Sequence, residues 1–163
     1  MASLTVPSPL GDLTVTSDGG AIVAVDWGRA VREEPDALLA EAARQLDAYF
    51  TGRLHGFDLP LAPKGSPFRQ QVWAAMLAIP YGGTLSYGDV ARALGSAPRA
   101  VGGACGANPI PIIIPCHRIL GSGGSAGGYS GGSGLRTKAW LLDLERRHAP
   151  AAAAPAMIQP ALF

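Results

Sequence analysis

Three stretches near the N-terminus set short apolar or β-branched runs against polar ones: Leu4-Thr5-Val6, Leu13-Thr14-Val15-Thr16 and Ile22-Val23-Ala24-Val25-Asp26-Trp27. That pattern predicts three short strands. Pro9-Leu10-Gly11-Asp12 and Asp18-Gly19-Gly20 separate them with turn chemistry, so an antiparallel meander is the simplest assembly. Residues 28–35 read as a loop. The period then lengthens to that of a helix, with Leu38, Ala42, Leu46, Tyr49 and Phe50 on one face. Asp36 is placed to cap its N-terminus, and Gly52 to end it after about Thr51. Residues 53–65, with Pro60 and Pro63, read as a linker.

The remainder is helical in pattern. A helix opens at Gly65 or Ser66 with Pro67 in its first turn, and Phe68, Val72, Met76 and Ile79 recur along it until Pro80-Tyr81-Gly82-Gly83 breaks it. Ser86 with Asp89 forms a capping-box pattern, and Gly95 stops the helix it opens. A second short helix follows Pro98, from Arg99 to about Gly106; with Gly95-Ser96-Ala97 between them, the pair reads as a helix-turn-helix. A last helix is expected from about Leu135 to Arg147, with Trp140, Leu141 and Leu144 inward. From Pro150 the chain is rich in Ala and Pro and uncharged, a composition that predicts disorder. The expectation is an α+β fold: a small N-terminal antiparallel sheet with a helix, then a mostly helical C-terminal domain. The domains expected are 1–63 and 64–149, with a tail at 150–163.

With 163 residues, 48% of them apolar and 15% charged, the chain can bury one core or two small ones. No apolar run reaches the ~20 residues of a membrane span, and Met1-Ala2-Ser3-Leu4 lacks the features of a signal peptide. Two cysteines without a Cys-x-x-Cys, and three scattered histidines, argue against a structural metal site. A reducing cytoplasm, no membrane partner and no metal are therefore expected. Net charge is only +1, but it is unevenly spread. Residues 1–63 carry four Arg against nine acidic residues, a net −5, whereas residues 64–163 carry nine Lys and Arg against three acids, a net +6. That second half suits a polyanionic partner.

The basic half also holds the densest chemistry, in Pro111-Ile112-Ile113-Ile114-Pro115-Cys116-His117-Arg118-Ile119-Leu120. The isoleucine run reads as a buried strand or core plug that stops at Pro115. A thiol with His117 and Arg118 beside it is in a setting that favours the reactive thiolate. If this segment is extended, Cys116 and His117 point to opposite faces and a bridging water joins them more easily than direct contact. Downstream, eight of the fourteen residues from Gly121 to Gly134 are glycine, a loop able to wrap a ligand closely. Upstream, Ala100, Gly102, Gly103, Ala104, Gly106 and Ala107 leave the second helix of the pair almost without side chains to read base edges. Two other readings use the same residues. Cys116, His117 and a third member such as Asn108 describe a cysteine hydrolase, although such enzymes draw Cys and His from distant parts of the chain. A helix-turn-helix DNA-binding module with an incidental thiol is the other.

In Pro115-Cys116-His117-Arg118, Ser86-Tyr87, Arg99-Ala100-Val101-Gly102-Gly103, Asn108-Pro109, Tyr129-Ser130, Lys138-Ala139-Trp140-Leu141-Leu142 and Glu145, the sequence resembles the O6-alkylguanine-DNA alkyltransferase family. The likeness runs from about Leu4 to His148 and is densest after Phe68. It implies DNA repair by single-turnover transfer of an alkyl group from O6 of guanine in duplex DNA to Cys116, with O4-alkylthymine an open second donor. It further implies that Cys116, His117 and Glu145 form a relay and that Tyr87 donates to guanine N3. Asn108 would brace the turn around the cysteine. By the same resemblance Arg99 fills the gap left by a flipped base, from a helix in the minor groove, with Ala100, Gly102, Gly103 and Arg118 also on the DNA side. Pro111 and Tyr129 wall the alkyl pocket, the carbonyls of Cys116 and Ile119 accept from the exocyclic amine, and the Ser130 amide donates to O6. No cofactor is implied, and the protein is expected to act as a monomer.

Overall fold

The alternation in the first 27 residues becomes a three-stranded antiparallel sheet of order β1-β2-β3, formed by Ala2–Val6, Leu13–Asp18 and Ala21–Trp27. Val15 pairs with Leu4 on one side and Val25 on the other, so the middle strand carries the core, with Leu13 and Val15 fully buried. A register shift at Thr16/Ser17 ends the simple alternation. Ser17 is buried there and donates its hydroxyl to Asp36. Asp36 accepts from the Leu39 amide as N-cap of α1, Ala37–Phe50, and these hydrogen bonds lower its carboxyl pKa. The buried face of α1 is led by Leu39 with Ala42, Leu46, Tyr49 and Phe50; Leu38, expected inward, is only half-buried. Both leucines lie one turn before Ala42, and spacing alone does not choose between them.

The structure is a computed structural model and describes residues 1–150; the expected disorder of the tail falls, beyond Pro150, outside the described residues. The chain divides into two compact units, Met1–Lys64 with Pro109–Ile113, and Gly65–Asn108 with the chain from Ile114 onward. The first unit uses part of the supposed linker. The Ile22 amide donates to the Pro60 carbonyl and the Ala62 amide to the Ile22 carbonyl, which clips residues 60–62 to β3. The Val25 amide donates to the Pro109 carbonyl, so the chain returns to this unit at 109–113. The isoleucine run is not a strand. The Ile113 amide donates to the Pro111 carbonyl across Ile112, whose φ is 72°: a γ-turn with a left-handed centre. Such a residue costs about 1–3 kcal/mol, and burying the Ile112 side chain offsets a similar amount.

The second unit begins with α2, Pro67–Leu77, capped by Ser66; Ile79 lies beyond its end but is still buried. Trp73 is fully buried and its indole N–H donates to the Ala104 carbonyl. A two-residue strand β4, Leu85–Ser86, runs straight into α3, Tyr87–Leu94. Ser86 and Asp89 form the reciprocal capping box, and Gly95 closes the helix at φ 64°. Helix α4, Pro98–Gly106, packs on α3 as the second member of a helix-turn-helix-like pair. Strand β5, Ile119–Leu120, pairs in parallel with β4, and α5, Leu135–His148, ends the described fold. On α5, Leu141 and Leu144 are buried as expected, while Trp140 is half-buried. Among the described residues no helix is long and apolar enough to cross a membrane.

Candidate active site

The two-residue pairing of β4 with β5 gathers the site. Ser86 lies opposite Leu120, so Tyr87, the next residue, starts α3 beside the segment that leaves Cys116. The Cys116–Arg118 stretch is a single 3-10 turn and not the extended chain expected from Pro115. The Cys116 amide donates to the Ile114 carbonyl across Pro115, a second γ-type turn directly before the thiol. Asn108, just past α4, donates its side-chain amide to the same Ile114 carbonyl at 2.9 Å. Its side chain also hydrogen-bonds the thiol. One asparagine therefore ties the end of α4 to the cysteine turn.

His117 and Glu145 are fully buried, and the ring Nε2 lies 2.6 Å from Glu145 Oε2. Arg118 grips the same carboxylate with Nε at 2.7 Å and Nη2 at 3.2 Å, and Nη1 donates to the Ile79 carbonyl at 2.7 Å. Its guanidinium also lies over the Tyr81 ring. This corrects the expectation that Arg118 faces DNA: it is only 7% exposed, and its donors are committed to an internal carboxylate. Burial alone would raise the Glu145 pKa, but the hydrogen bonds and charges of His117 and Arg118 outweigh it and hold it at about 2. Burial lowers the His117 pKa, against the pull of Glu145. With Arg118 already neutralising the carboxylate, the imidazole rests neutral. Its Nε2–H then donates to Glu145, which leaves Nδ1, buried and without a hydrogen-bond partner among the described residues, as the basic atom.

Burial raises the Cys116 pKa, opposed by Asn108, Lys138 and nearby amides. The resting group is thus a protonated thiol, and the neighbouring cations do not produce a standing thiolate. Cys105 on α4 is pushed up to about 12 by burial, which leaves it inert. Tyr87 has its hydroxyl accepting from the Gly128 amide at 3.4 Å, so its own proton is free to be donated. Gly127 makes this approach possible: at φ 69°, a Cβ there would meet the Tyr87 ring at 2.8 Å. Tyr129 is half-buried with its hydroxyl enclosed, Ser130 is exposed, and Ile119 is fully buried in β5. Pro111 is buried in the 109–113 segment, part of the other unit. Lys138, which sequence reasoning gave no role of its own, is 1% exposed on the inner face of α5. Its burial was visible in principle, since Lys138 shares a helical face with Leu141, Leu144 and Glu145.

On α4, Val101 and Ala104 are buried while Arg99, Ala100, Gly103 and Gly106 face outward. A Cβ at Gly103 or Gly106 would meet open space, and one at Gly102 only the Tyr87 ring at 4.0 Å. Among the described residues nothing requires these glycines, although each costs a helix up to about 1 kcal/mol relative to Ala. They keep the outer face low for something that approaches it. An open groove beside this face is lined by Ser86, Tyr87, Arg92, Arg99, Gly102 and Ser122 among others. Among the described residues, no three His, Cys, Asp or Glu side chains are grouped to hold a metal ion.

Two family models match, together spanning nearly the whole described chain. Residues 2–63 match the ribonuclease-like domain of 6-O-methylguanine DNA methyltransferase, and residues 67–147 match its DNA binding domain. The sequence is 44% identical over 156 residues to the methylated-DNA–protein-cysteine methyltransferase of Mycobacterium tuberculosis H37Rv, covering 90% of this chain and 93% of that one. It is 43% identical over 157 residues to the constitutive enzyme of that name from Bacillus subtilis, covering 87% and 93%. In structure it is similar to the crystal structure of Mycobacterium tuberculosis OGT in complex with DNA, with TM-score 0.80 and 44% identity over 90% of this chain and 94% of the other.

Proposed function

Since the chain belongs to the O6-alkylguanine-DNA alkyltransferase family, the methylated-DNA–protein-cysteine methyltransferases, we propose that it takes an alkyl group from O6 of a guanine flipped out of duplex DNA through the minor groove. That membership makes it a DNA-repair protein that acts by direct, suicide-type transfer to its own cysteine. The observation that carries the finer reading is a buried thiol held by Asn108, next to a neutral histidine whose Nδ1 has no hydrogen-bond partner among the described residues and whose Nε2 is fixed on an ionised carboxylate. In the proposed step the Cys116 proton passes to His117 Nδ1, through a water. The sulfur then attacks the alkyl carbon in line, the new C–S bond forming as the C–O6 bond breaks. Glu145 stabilises the imidazolium, and the guanine that leaves with the C–O electron pair is neutralised by the proton the thiol gave up. Tyr87 donates to the base at N3 while this charge develops. A thioether is stable to hydrolysis, so each molecule acts once. On this reading the partner is duplex DNA carrying O6-alkylguanine, and the protein works as a monomer.

Flipping a base costs a few kcal/mol, and the proposal gives Arg99 the task of filling the vacancy. Its exposure at the N-terminal end of α4, above glycines that no described residue crowds, supports that role. The test compares Arg99→Ala with wild type on two substrates. Transfer from O6-methylguanine in duplex DNA should slow by about tenfold or more, on the scale of 1.4 kcal/mol per decade. Transfer from the free modified base should be unchanged. Equal losses on both substrates would remove the role.

A further inference from the structure

Glu145 is a carboxylate with two cationic claimants. Its Oε2 lies 2.6 Å from His117 Nε2 and 3.2 Å from Arg118 Nη2, so both side chains meet at one oxygen. Arg118 Nε takes the other oxygen at 2.7 Å. His117, Glu145 and Arg118 are 0%, 1% and 7% exposed. In such a place one negative charge balances one positive charge, and a second cation is costly. Arginine does not give up its proton inside a protein. The group that must rest neutral is therefore the imidazole. Arg118 is fixed in this position by further contacts: Nη1 donates to the Ile79 carbonyl at 2.7 Å, and the guanidinium lies 5.8 Å from the centre of the Tyr81 ring. His117 and Arg118 are successive residues of one 3-10 turn, and the carboxylate they share comes from α5. The other titratable groups facing them are Lys138 from α5, the Cys116 thiol, and the Tyr81 phenol from the turn after α2. The first is a further cation, and burial raises the pKa of the other two, so none supplies a negative charge at rest.

We propose that Arg118 is a positioning residue of the transfer step: by claiming the Glu145 charge it keeps His117 neutral at rest, with Nδ1 unprotonated and ready for the Cys116 proton. The inference rests on the alkyl-transfer reading for its purpose, but the charge on the ring can be read without DNA. A histidine facing the buried carboxylate with no arginine beside it would behave in the opposite way. The unbalanced Glu145 would draw a proton from solvent onto the ring, and a ring already protonated at Nδ1 accepts nothing from a thiol. Arg118 also limits how long the ring keeps its proton. The imidazolium formed when the thiol ionises shares Glu145 Oε2 with a guanidinium, which makes it the stronger acid. The proton thus moves from Cys116 Sγ to His117 Nδ1 and on to the guanine that leaves with the C–O6 electron pair. Arg118 gains and loses none. A buried arginine directly after the cysteine and histidine therefore has a task that is not DNA contact.

Two measurements on the full chain test this. The chain has three histidines, His55, His117 and His148, so ring nitrogen NMR reads each one, and His117→Gln assigns the signal of interest. In wild type without DNA, the His117 ring should stay neutral at pH 6.5 and above, with its proton on Nε2. In Arg118→Gln, which keeps a hydrogen-bond donor for Glu145 but no charge, the ring should be protonated at pH 6.5 and titrate about one unit or more higher than in wild type. Arg118→Lys, which keeps the charge, should return most of the wild-type behaviour. Single-turnover transfer from O6-methylguanine in duplex DNA should follow the ring. The acid limb of Arg118→Gln should move up by the same interval, about tenfold slower near pH 6.5, and the curve should rejoin wild type at high pH. A rate lowered equally at every pH, with the ring still neutral, would make Arg118 merely structural and overturn the proposal. A wild-type ring protonated at pH 7 would also overturn it, and that measurement needs no variant if Arg118→Gln fails to fold. A ring that responds as stated in a protein that transfers no alkyl group would support the charge assignment and remove the alkyl-transfer reading instead.

Discussion

Glu145 is the residue whose loss should be felt most widely. It is 1% exposed and accepts from His117 Nε2 and from Arg118 Nε and Nη2. Replacing it with Gln keeps the shape and one acceptor but strands the Arg118 guanidinium, which is only 7% exposed. Removing one partner of a buried ion pair costs about 3–5 kcal/mol, a large part of the roughly 5–15 kcal/mol that stabilises a typical domain. At about 2–4 °C per kcal/mol for a chain of this size, Tm should fall by roughly 10 °C. The sign with pH follows from the depressed carboxyl. Glu145 sits at about 2 in the folded protein against an ordinary 4.5, so its stabilisation is fully present above pH 4.5 and is lost as pH falls through about 2. The gap between wild type and Glu145→Gln should therefore narrow in acid. Urea unfolding at several pH values reads both effects. Adding Arg118→Met to Glu145→Gln removes the stranded charge and should recover part of the loss, a coupling measured by a double-mutant cycle. A single-mutant loss below about 1 kcal/mol, or strict additivity of the two changes, would refute a coupled buried network. Transfer should slow as well, by about a hundredfold if general-base help is lost.

The pH profile of single-turnover transfer tests the neutral histidine. Burial places the His117 pKa below its ordinary 6.5, so the base stays competent under mildly acid conditions and the acid limb should lie below pH 6.5; a limb at or above that value would mean that Glu145 controls the ring instead. On α4, Gly103→Glu should weaken binding to duplex DNA of every sequence, because it adds bulk and negative charge to an outward-facing position on which no described residue packs. A fluorescence titration on two unrelated duplexes measures this, and a sequence-selective loss would argue for base readout by that face.

Local signals were legible in the sequence where a short segment settles its own structure. The Ser86–Asp89 capping box, the Asp36 cap and the left-handed Gly95 each depend on residues within one turn, and each is present. The isoleucine run misleads because apolar content marks burial and not backbone. Ile112 is buried as expected, but at φ 72° it bends a turn that no propensity favours. Arg118 misleads for another reason. Beside a reactive cysteine in the basic half it suggests DNA, yet its partner Glu145 lies 27 positions away and nothing local announces it. The β4–β5 pairing covers two residues per strand, too short for any period to show, although it is what sets Tyr87 beside the cysteine segment. The His117–Glu145 contact was reachable only through family resemblance, since a Glu followed by two arginines reads as surface.

On the proposed reading Cys116 itself accepts the alkyl group, once. Incubation with duplex DNA bearing one O6-methylguanine, followed by trypsin, isolates the peptide Ala100–Arg118, which contains both cysteines. The expected result is one added methyl per protein molecule, placed on Cys116 by fragmentation, plain guanine restored in the DNA, and no further repair once the protein is consumed. Cys116→Ser should abolish transfer, since a hydroxyl ionises far less readily than a thiol. Repeated turnover with Cys116 unmodified, or a methyl group found on Cys105, would contradict it.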